Sequence, residues 1–184
     1  MLNIIAGTLS SGAVPAAPNS YESIATVTVG SGGSSTISFT SIPATFTHLQ
    51  IRSFSRISSG GNNGLLTFNS DTGANYATHL LYGSGASAAA LSFINDNYIY
   101  GSRVSTATST YGVGVIDILD YANTNKFKTV RLLTGNDDNG SGLISLNSGL
   151  WRSTSAITSI TYTAQSGSTF AQYTQFALYG IKGV

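Results

Sequence analysis

Apolar and hydroxyl-bearing residues alternate one by one along most of this chain, and this period of two restricts the fold more than any other feature. In "TISFT", Ile37 and Phe39 fall on one side of an extended backbone, and in "HLQIRS" Leu49 and Ile51 do the same. Successive side chains of a β-strand point to opposite faces, so the alternation predicts strands with one buried face. No long window places apolar residues at three- and four-residue spacing, and we therefore predict an all-β protein.

About ten such segments follow one another at intervals of roughly ten to fifteen residues, which is typical of a jelly-roll-like antiparallel β-sandwich. Within it, "YGVGVIDILDY" is apolar on both sides, as expected of a central strand between two packed layers. The last segment, "FALYGIKGV", predicts a final strand built into the core. Residues 83–109 are rich in small and polar residues, so we expect loops there and one short strand near Tyr98.

Residues 1–20 differ in composition from the rest of the chain. They contain no charged side chain, and Pro15 and Pro18 favour an extended backbone. We therefore divide the chain into an extended N-terminal arm, residues 1–20, and a β-sandwich domain, residues 21–184. The arm is expected either to add a strand to a neighbouring subunit or to pack on its own domain. Its candidate attachment residues are Leu2, Ile4, Ile5 and Leu9.

Charge is unusually sparse, since Asp, Glu, Lys and Arg make up 8% of the residues against about 25% in ordinary globular domains. The basic residues are scattered, so we expect no nucleic-acid partner. No apolar run reaches the roughly 20 residues that span a bilayer, and we expect no membrane segment and no secretion signal. The net charge of +1 favours association, as in an assembly or on a crowded particle.

Residues that could carry out catalysis are few. The chain has two histidines, His48 and His79, and no cysteine, and it lacks a G-x-S-x-G motif and a phosphate-binding loop. Asp117 and Asp120 are three residues apart, so on a strand they would point to opposite faces rather than form a carboxylate pair. We predict no enzymatic activity, no catalytic residue and no cofactor; a sugar-cleaving enzyme is the least favoured alternative.

Two acidic turns are weak candidates for cation binding. "NDDNG" holds Asp137 and Asp138 but lacks the spacing and the distal glutamate of a calcium loop, so we expect a solvated hairpin tip with Asn139 and Gly140 at its turn. Asp71 in "FNSDTGANY" is best explained by an Asx-type turn, with a weak cation or sugar site as the alternative. We therefore predict no metal site.

Aromatic residues between positions 92 and 111 are the best candidates for ligand binding. Aromatic rings beside amide and carboxylate groups suit polar ring ligands such as sugars. The same rings would serve equally well to close the end of the sandwich or to pack at a subunit interface. The candidate residues of this ligand loop are Phe93, Tyr98, Tyr100, Arg103 and Tyr111.

Three stretches, "THLQIR" at residues 47–52, "FNSDTGANY" at 68–76 and "FALYGIKG" at 176–183, resemble a group of small virion proteins of tailed bacteriophages, especially aquatic and cyanobacterial phages. The resemblance extends from about Tyr21 to the end of the chain. It implies a β-sandwich, usually trimeric, displayed on the outside of the virion after assembly in the host cytoplasm. It brings no catalytic residues with it.

The resemblance implies a structural role. We expect a homotrimeric capsid decoration or cement protein that binds the major capsid protein, or tail and fibre subunits. The alternative is a tail-fibre or head-spike adhesin that binds host surface glycans through the ligand loop.

Overall fold

The computed structural model describes residues 20–183, so all but the last residue of the predicted arm lies outside the described residues. The described chain contains twelve β-strands and one short 3-10 turn, Gln165–Gly167, which confirms the predicted all-β class. No helix long and apolar enough to cross a bilayer occurs between residues 20 and 183. The strands are β1 (Tyr21–Thr28), β2 (Thr36–Phe39), β3 (His48–Ser55), β4 (Asn63–Phe68), β5 (Tyr76–Gly83), β6 (Ala88–Asp96), β7 (Ile99–Arg103), β8 (Gly112–Leu119), β9 (Lys128–Asp137), β10 (Gly142–Trp151), β11 (Ile160–Ala164) and β12 (Gln175–Ile181).

Two antiparallel sheets of unequal size form the predicted β-sandwich. The large sheet has eight strands in the order β1-β12-β3-β8-β9-β10-β5-β6, and the small sheet has four in the order β2-β11-β4-β7. The core lies between them and consists of the inward-facing apolar residues, among them Ile51, Leu66, Ile116 and Leu132, which are fully buried. Burying each such side chain contributes about 1.5–3 kcal/mol.

The final strand is built into this core, as the sequence predicts. β12 pairs with β1 on one side and β3 on the other. Phe176 and Leu178 point inward and are fully buried. Because both of its edges are paired, this strand cannot be removed without exposing two neighbours and part of the core.

The section between residues 83 and 109 contains two strands, not loops with one short strand. β6 pairs with β5, and β7 pairs with β4 in the other sheet. β6 reads "AAALSFIND", and most of it is exposed on both sides, including Leu91 at 48% and Ile94 at 70%. A strand without a buried face lacks the alternation by which strands are recognised, and the sequence prediction was wrong here for that reason.

Hydroxyl and amide side chains of the large sheet hydrogen-bond the backbone of β7, an edge strand of the small sheet. Tyr100 N donates to Thr78 Oγ1 at 3.3 Å, and Asn147 Nδ2 donates to Tyr100 O at 3.1 Å. Further along, Arg103 N donates to Thr134 Oγ1 at 2.6 Å. The three polar side chains point into the sandwich and are buried there. They satisfy edge groups that would otherwise lie unpaired between the sheets.

Candidate functional site

The large sheet has two apolar faces, and the small sheet covers only one of them. On β8, Ile116 and Ile118 are fully buried, whereas Val113 and Val115 on the opposite face are 59% and 39% exposed. The expectation that both faces of "YGVGVIDILDY" are covered is therefore wrong for the described part of the chain. We name the uncovered side of the eight-stranded sheet the outer face.

The register of the large sheet assembles apolar side chains of the outer face into two adjacent rows. The first row runs across β5, β10, β9 and β8, and the second runs across β10, β8 and β3. Their side chains are between 39% and 61% exposed. We define the outer patch as Leu81, Leu146, Leu133 and Val115 in the first row and Ile144, Val113 and Phe54 in the second.

A row of polar residues runs beside the first apolar row, toward the other end of the strands. His79 is opposite Ser148, Ser148 is opposite Arg131, and Arg131 is opposite Asp117, which in turn is opposite Gln50. Gln50 Nε2 donates a hydrogen bond to Asp117 Oδ1 at 2.8 Å. We name these five residues the polar row, and they form one border of the outer patch.

Two glycines leave a groove in the second apolar row. Gly135 lies between Val113 and Ile144 in the register, and Gly83 lies opposite Ile144 on the other side. Neither glycine projects a side chain, and the resulting groove has a volume of about 920 Å³. The outer groove is defined by a floor of Val113, Val115, Leu133, Gly135 and Ile144 and a rim formed by Arg52, Gly83 and the β9–β10 hairpin.

The β9–β10 hairpin turns at Asn139 and Gly140, as predicted. Both have positive φ angles, 58° and 103°, which two-residue hairpins favour and which asparagine and glycine adopt most readily. Asp138 N donates to Ser141 O at 2.7 Å and closes the turn. Asp137 is exposed, and its Oδ1 accepts a hydrogen bond from Asn139 N at 2.9 Å.

Asp138 is half-buried, and the prediction of a solvated tip is wrong for it. Its Oδ1 accepts hydrogen bonds from Ser105 Oγ at 2.6 Å and Thr110 Oγ1 at 2.8 Å, while Oδ2 accepts one from Asn136 Nδ2 at 2.8 Å. These bonds, with that from Ser105 first, hold the pKa of Asp138 below its usual range. The carboxylate thus fastens the hairpin beside the outer groove to the segment that precedes β8.

Asp71 forms the predicted Asx-type turn, because Gly73 N donates to its Oδ1 at 2.9 Å. Trp151 Nε1 donates to the other oxygen at 2.7 Å, and this bond is the main reason that the pKa of Asp71 is lowered. Trp151 lies eighty positions further along the chain, and no sequence pattern links the two. The carboxylate therefore has a structural role in joining the turn to β10.

The five ligand-loop residues do not form one site. Phe93, Tyr98 and Tyr100 are half-buried and pack together, with ring centroids 4.5 Å apart for Phe93 and Tyr100 and 5.3 Å apart for Tyr98 and Tyr100. The hydrogen bond with Tyr100 and partial burial raise the pKa of the Tyr98 hydroxyl. We name these three residues the aromatic cluster.

Tyr111 and Arg103 make other contacts. The Tyr111 ring meets Phe54 edge to face at 6.0 Å, beside the outer patch, and its hydroxyl donates to Gln172 O at 3.0 Å. Arg103 lies near Asn63, and burial lowers the pKa of its guanidinium. Of the five candidates, Tyr111 therefore belongs with the outer groove, whose lining it joins.

The two histidines lie on different strands. His48 begins β3, and its Nδ1 accepts a hydrogen bond from Asp120 N at 3.0 Å. His79 belongs to the polar row. Across residues 20–183, no three His, Asp or Glu side chains are grouped so that they could hold a metal ion.

The outer patch was missed from the sequence, while the attachment residues Leu2, Ile4, Ile5 and Leu9 lie outside the described residues. The signal for the patch was present in "GVGVIDIL", where apolar residues occupy both faces. Whether a second apolar face is covered depends on whether a further layer packs on it, and the sequence does not show the number of layers.

The fold and the patch together define the class of this protein: a two-sheet β-sandwich whose larger sheet leaves an apolar outer face uncovered by its own described chain. No protein-family model, curated protein or solved structure matches this chain.

Proposed function

We propose that the protein is a non-enzymatic structural component of a tailed-phage virion, displayed externally as a capsid decoration or cement protein that binds neighbouring subunits. The observation that carries the proposal is the outer patch. Single exposed apolar side chains are ordinary, but contiguous groups bordered by polar residues mark surfaces for association. The outer patch, with the polar row along one side, has this form.

The composition of the outer patch makes its burial favourable. No charged side chain lies between Leu81 and Val115 in the first row or between Gly83 and Phe54 in the second. A partner would therefore cover these rows without removing an ion from water, which costs several kcal/mol per uncompensated charge. The apolar area that is withdrawn from solvent contributes about 25 cal/mol per Å².

The setting on a phage particle is supported by the resemblance of residues 47–52, 68–76 and 176–183 and by the sparse charge. A nearly neutral, hydroxyl-rich surface tolerates the crowding of many copies. The proposed partners are two further copies in a homotrimer and the major capsid protein or tail subunits. The proposed location is the virion exterior.

A binding role is also favoured over catalysis by the use of the polar groups. The Nδ1 atom of His48 accepts a backbone hydrogen bond, and the Asp71 and Asp138 carboxylates each accept bonds that fasten loops. These groups hold parts of the fold together, whereas the side chains of the outer patch are still 39–61% exposed in the described part of the chain.

The proposal is tested by placing a charge in the outer patch. Leu133→Lys should reduce the trimer to a monomer in light scattering and abolish binding to phage particles that lack the protein. Thr129→Lys is the matched control, because Thr129 is exposed on the same strand and face but beyond the polar row. A Leu133→Lys protein that remains trimeric and decorates particles normally would contradict the proposal.

A host-glycan adhesin is the second candidate, and the aromatic cluster favours it. Half-exposed aromatic rings provide apolar stacking surfaces for sugar rings. Binding to a panel of host-surface glycans should then be lost in Tyr98→Ala and kept in Tyr173→Ala, which removes an exposed tyrosine outside the cluster. Equal binding by the two variants would dismiss the cluster as a sugar site.

A further inference from the structure

We infer that residues 1–9 of one copy bind in the outer groove of a neighbouring copy. The inference rests on the proposed assembly of several copies and specifies one of its contacts. The groove floor is formed by Val113, Val115, Leu133 and Ile144 around Gly135, and its volume of about 920 Å³ is large enough for several side chains of a peptide.

The chemistry of the segment matches that of the groove. "MLNIIAGTL" contains Leu2, Ile4, Ile5 and Leu9 and no charged side chain. The four aliphatic side chains of the floor carry none either; the charged residues that line the groove are Arg52, opposite Val115 in the register, and Asp137 in the hairpin. An uncharged aliphatic peptide therefore gains apolar burial there without leaving an unpaired charge.

The segment is long enough to reach such a groove. The described chain begins at Ser20, next to β1, and β1 is four strand spacings from β9 in the large sheet. Combined at right angles with about six residues along the strands, these spacings place the chain's own outer groove about 28 Å from Ser20, and a neighbour's groove at a similar distance is equally within reach. The eleven residues from Leu9 to Ser20 span at most about 36–40 Å when extended.

The direction of β1 favours the groove of a neighbour over that of the same chain. β1 runs from Tyr21 toward Thr28, whose register leads through Gln175 to Phe54 in the second apolar row. The chain thus enters the sheet from the border opposite to its own groove. Pro15 and Pro18 favour an extended, semi-rigid stem, which opposes the reversal needed to return across the same face.

Such a contact has a consequence for symmetry. The segment of one copy meets a different surface, the outer groove, of the next copy, so the interface is head-to-tail. Head-to-tail interfaces produce closed rings when their rotation closes, and a ring of three is the proposed homotrimer.

The test uses disulfide trapping, because the chain has no cysteine of its own. Full-length Ile4→Cys protein is mixed with full-length Ile144→Cys protein that carries a larger tag, and the mixture is oxidised mildly. A disulfide between the two chains of different size is expected on a non-reducing gel. Leu119→Cys replaces Ile144→Cys as the control, because Leu119 is exposed on the same face beyond the polar row, and it should give no such band.

A variant that fills part of the outer groove provides a second test of the same contact. A Cβ atom at Gly83 would meet only Ile144 Cγ2 and Ser87 O, each at 3.9 Å, so the rim has room for a side chain to begin there. Adding Gly83→Leu to the Ile144→Cys chain should lower the yield of the mixed disulfide about ten-fold, since it occupies apolar area that the segment would cover.

The outcomes separate this inference from the proposed function. A chain carrying both Ile4→Cys and Ile144→Cys should form disulfide-linked multimers; a disulfide within single chains would show that the segment binds its own groove and would overturn the inference. Trimers that bind particles but give no disulfide between the Ile4→Cys and Ile144→Cys chains would overturn the inference and leave the proposed function standing. A wild-type protein that neither assembles nor binds particles would contradict both the inference and the proposed function.

Discussion

The two faces of the large sheet are built from the same kinds of apolar residue, but one face is buried and the other is exposed to solvent. Leu132 and Leu133 are neighbours on β9; the first is fully buried against the small sheet, and the second is 53% exposed on the outer face. Chemistry does not distinguish them, and only the presence of a covering layer does. The inner face is therefore the source of folding stability, and the outer face is the surface that remains for association.

The largest effect is expected on the inner face. Leu132→Ala should lower the free energy of unfolding by about 2–5 kcal/mol, because it removes buried methyl groups and leaves a cavity in a packed core. Urea denaturation followed by circular dichroism measures the change. A loss below about 1 kcal/mol would mean that the inner face is loosely packed and that the two faces are less different than described.

A smaller effect is expected where the inner face is polar. Thr134→Val keeps the shape of the side chain but removes the acceptor of the Arg103 N–H group, so it should cost about 1–3 kcal/mol of unfolding free energy. Thr129→Val makes the same change on the exposed face of the same strand and should be nearly neutral. Equal effects in urea denaturation would show that the bond to β7 contributes nothing.

The contribution of the hairpin beside the outer groove to the stability of the fold should decrease at low pH. Because the pKa of Asp138 is lowered in the folded protein, its charged form contributes stability above the ordinary value of 3.8, and this contribution is lost as the pH falls through the lowered pKa. Asp138→Asn should cost on the order of 1 kcal/mol at neutral pH, since charge-assisted hydrogen bonds become neutral ones.

The comparison of wild type and Asp138→Asn is made by urea denaturation from pH 7 down to pH 3. The difference between the two proteins should shrink as the pH falls. A constant difference would place the contribution of Asp138 in packing rather than in its charge.

The smallest effect on folding is expected on the outer face. Leu133→Ala should change the unfolding free energy of the monomer by less than about 0.5 kcal/mol, as surface substitutions usually do. The same variant should weaken self-association, which analytical ultracentrifugation measures over a range of concentrations. A strongly destabilised monomer would show that the outer face already supports the fold of a single chain.

Much of the fold could be predicted from the sequence because alternation is a local property. Ile37, Phe39, Leu49 and Ile51 were assigned to the core from their spacing and are buried there. The Asn139–Gly140 turn followed from the backbone preferences of those two residues. β6 could not be predicted, because a strand exposed on both sides gives no alternating pattern.

The candidate site was less predictable, since it is made by pairing between distant segments. Leu81 and Val115 belong to one apolar row only because β10 and β9 lie between their strands. The residues proposed for the ligand loop lie in separate places for the same reason. Tyr98 and Tyr100 pack with Phe93, while Tyr111 packs with Phe54 of the outer patch. Proximity along the chain had suggested one site.

Three properties of this chain follow from residue chemistry and a period of two alone: it forms strands, certain side chains share a face of each strand, and few charges oppose association. The folded chain adds that the described strands form two layers of eight and four strands, so the outer apolar face of the larger sheet has no layer over it. Strand pairing depends on backbone hydrogen bonds, which every residue except proline can both donate and accept, so strand order and the number of layers are set by the packing of the whole chain.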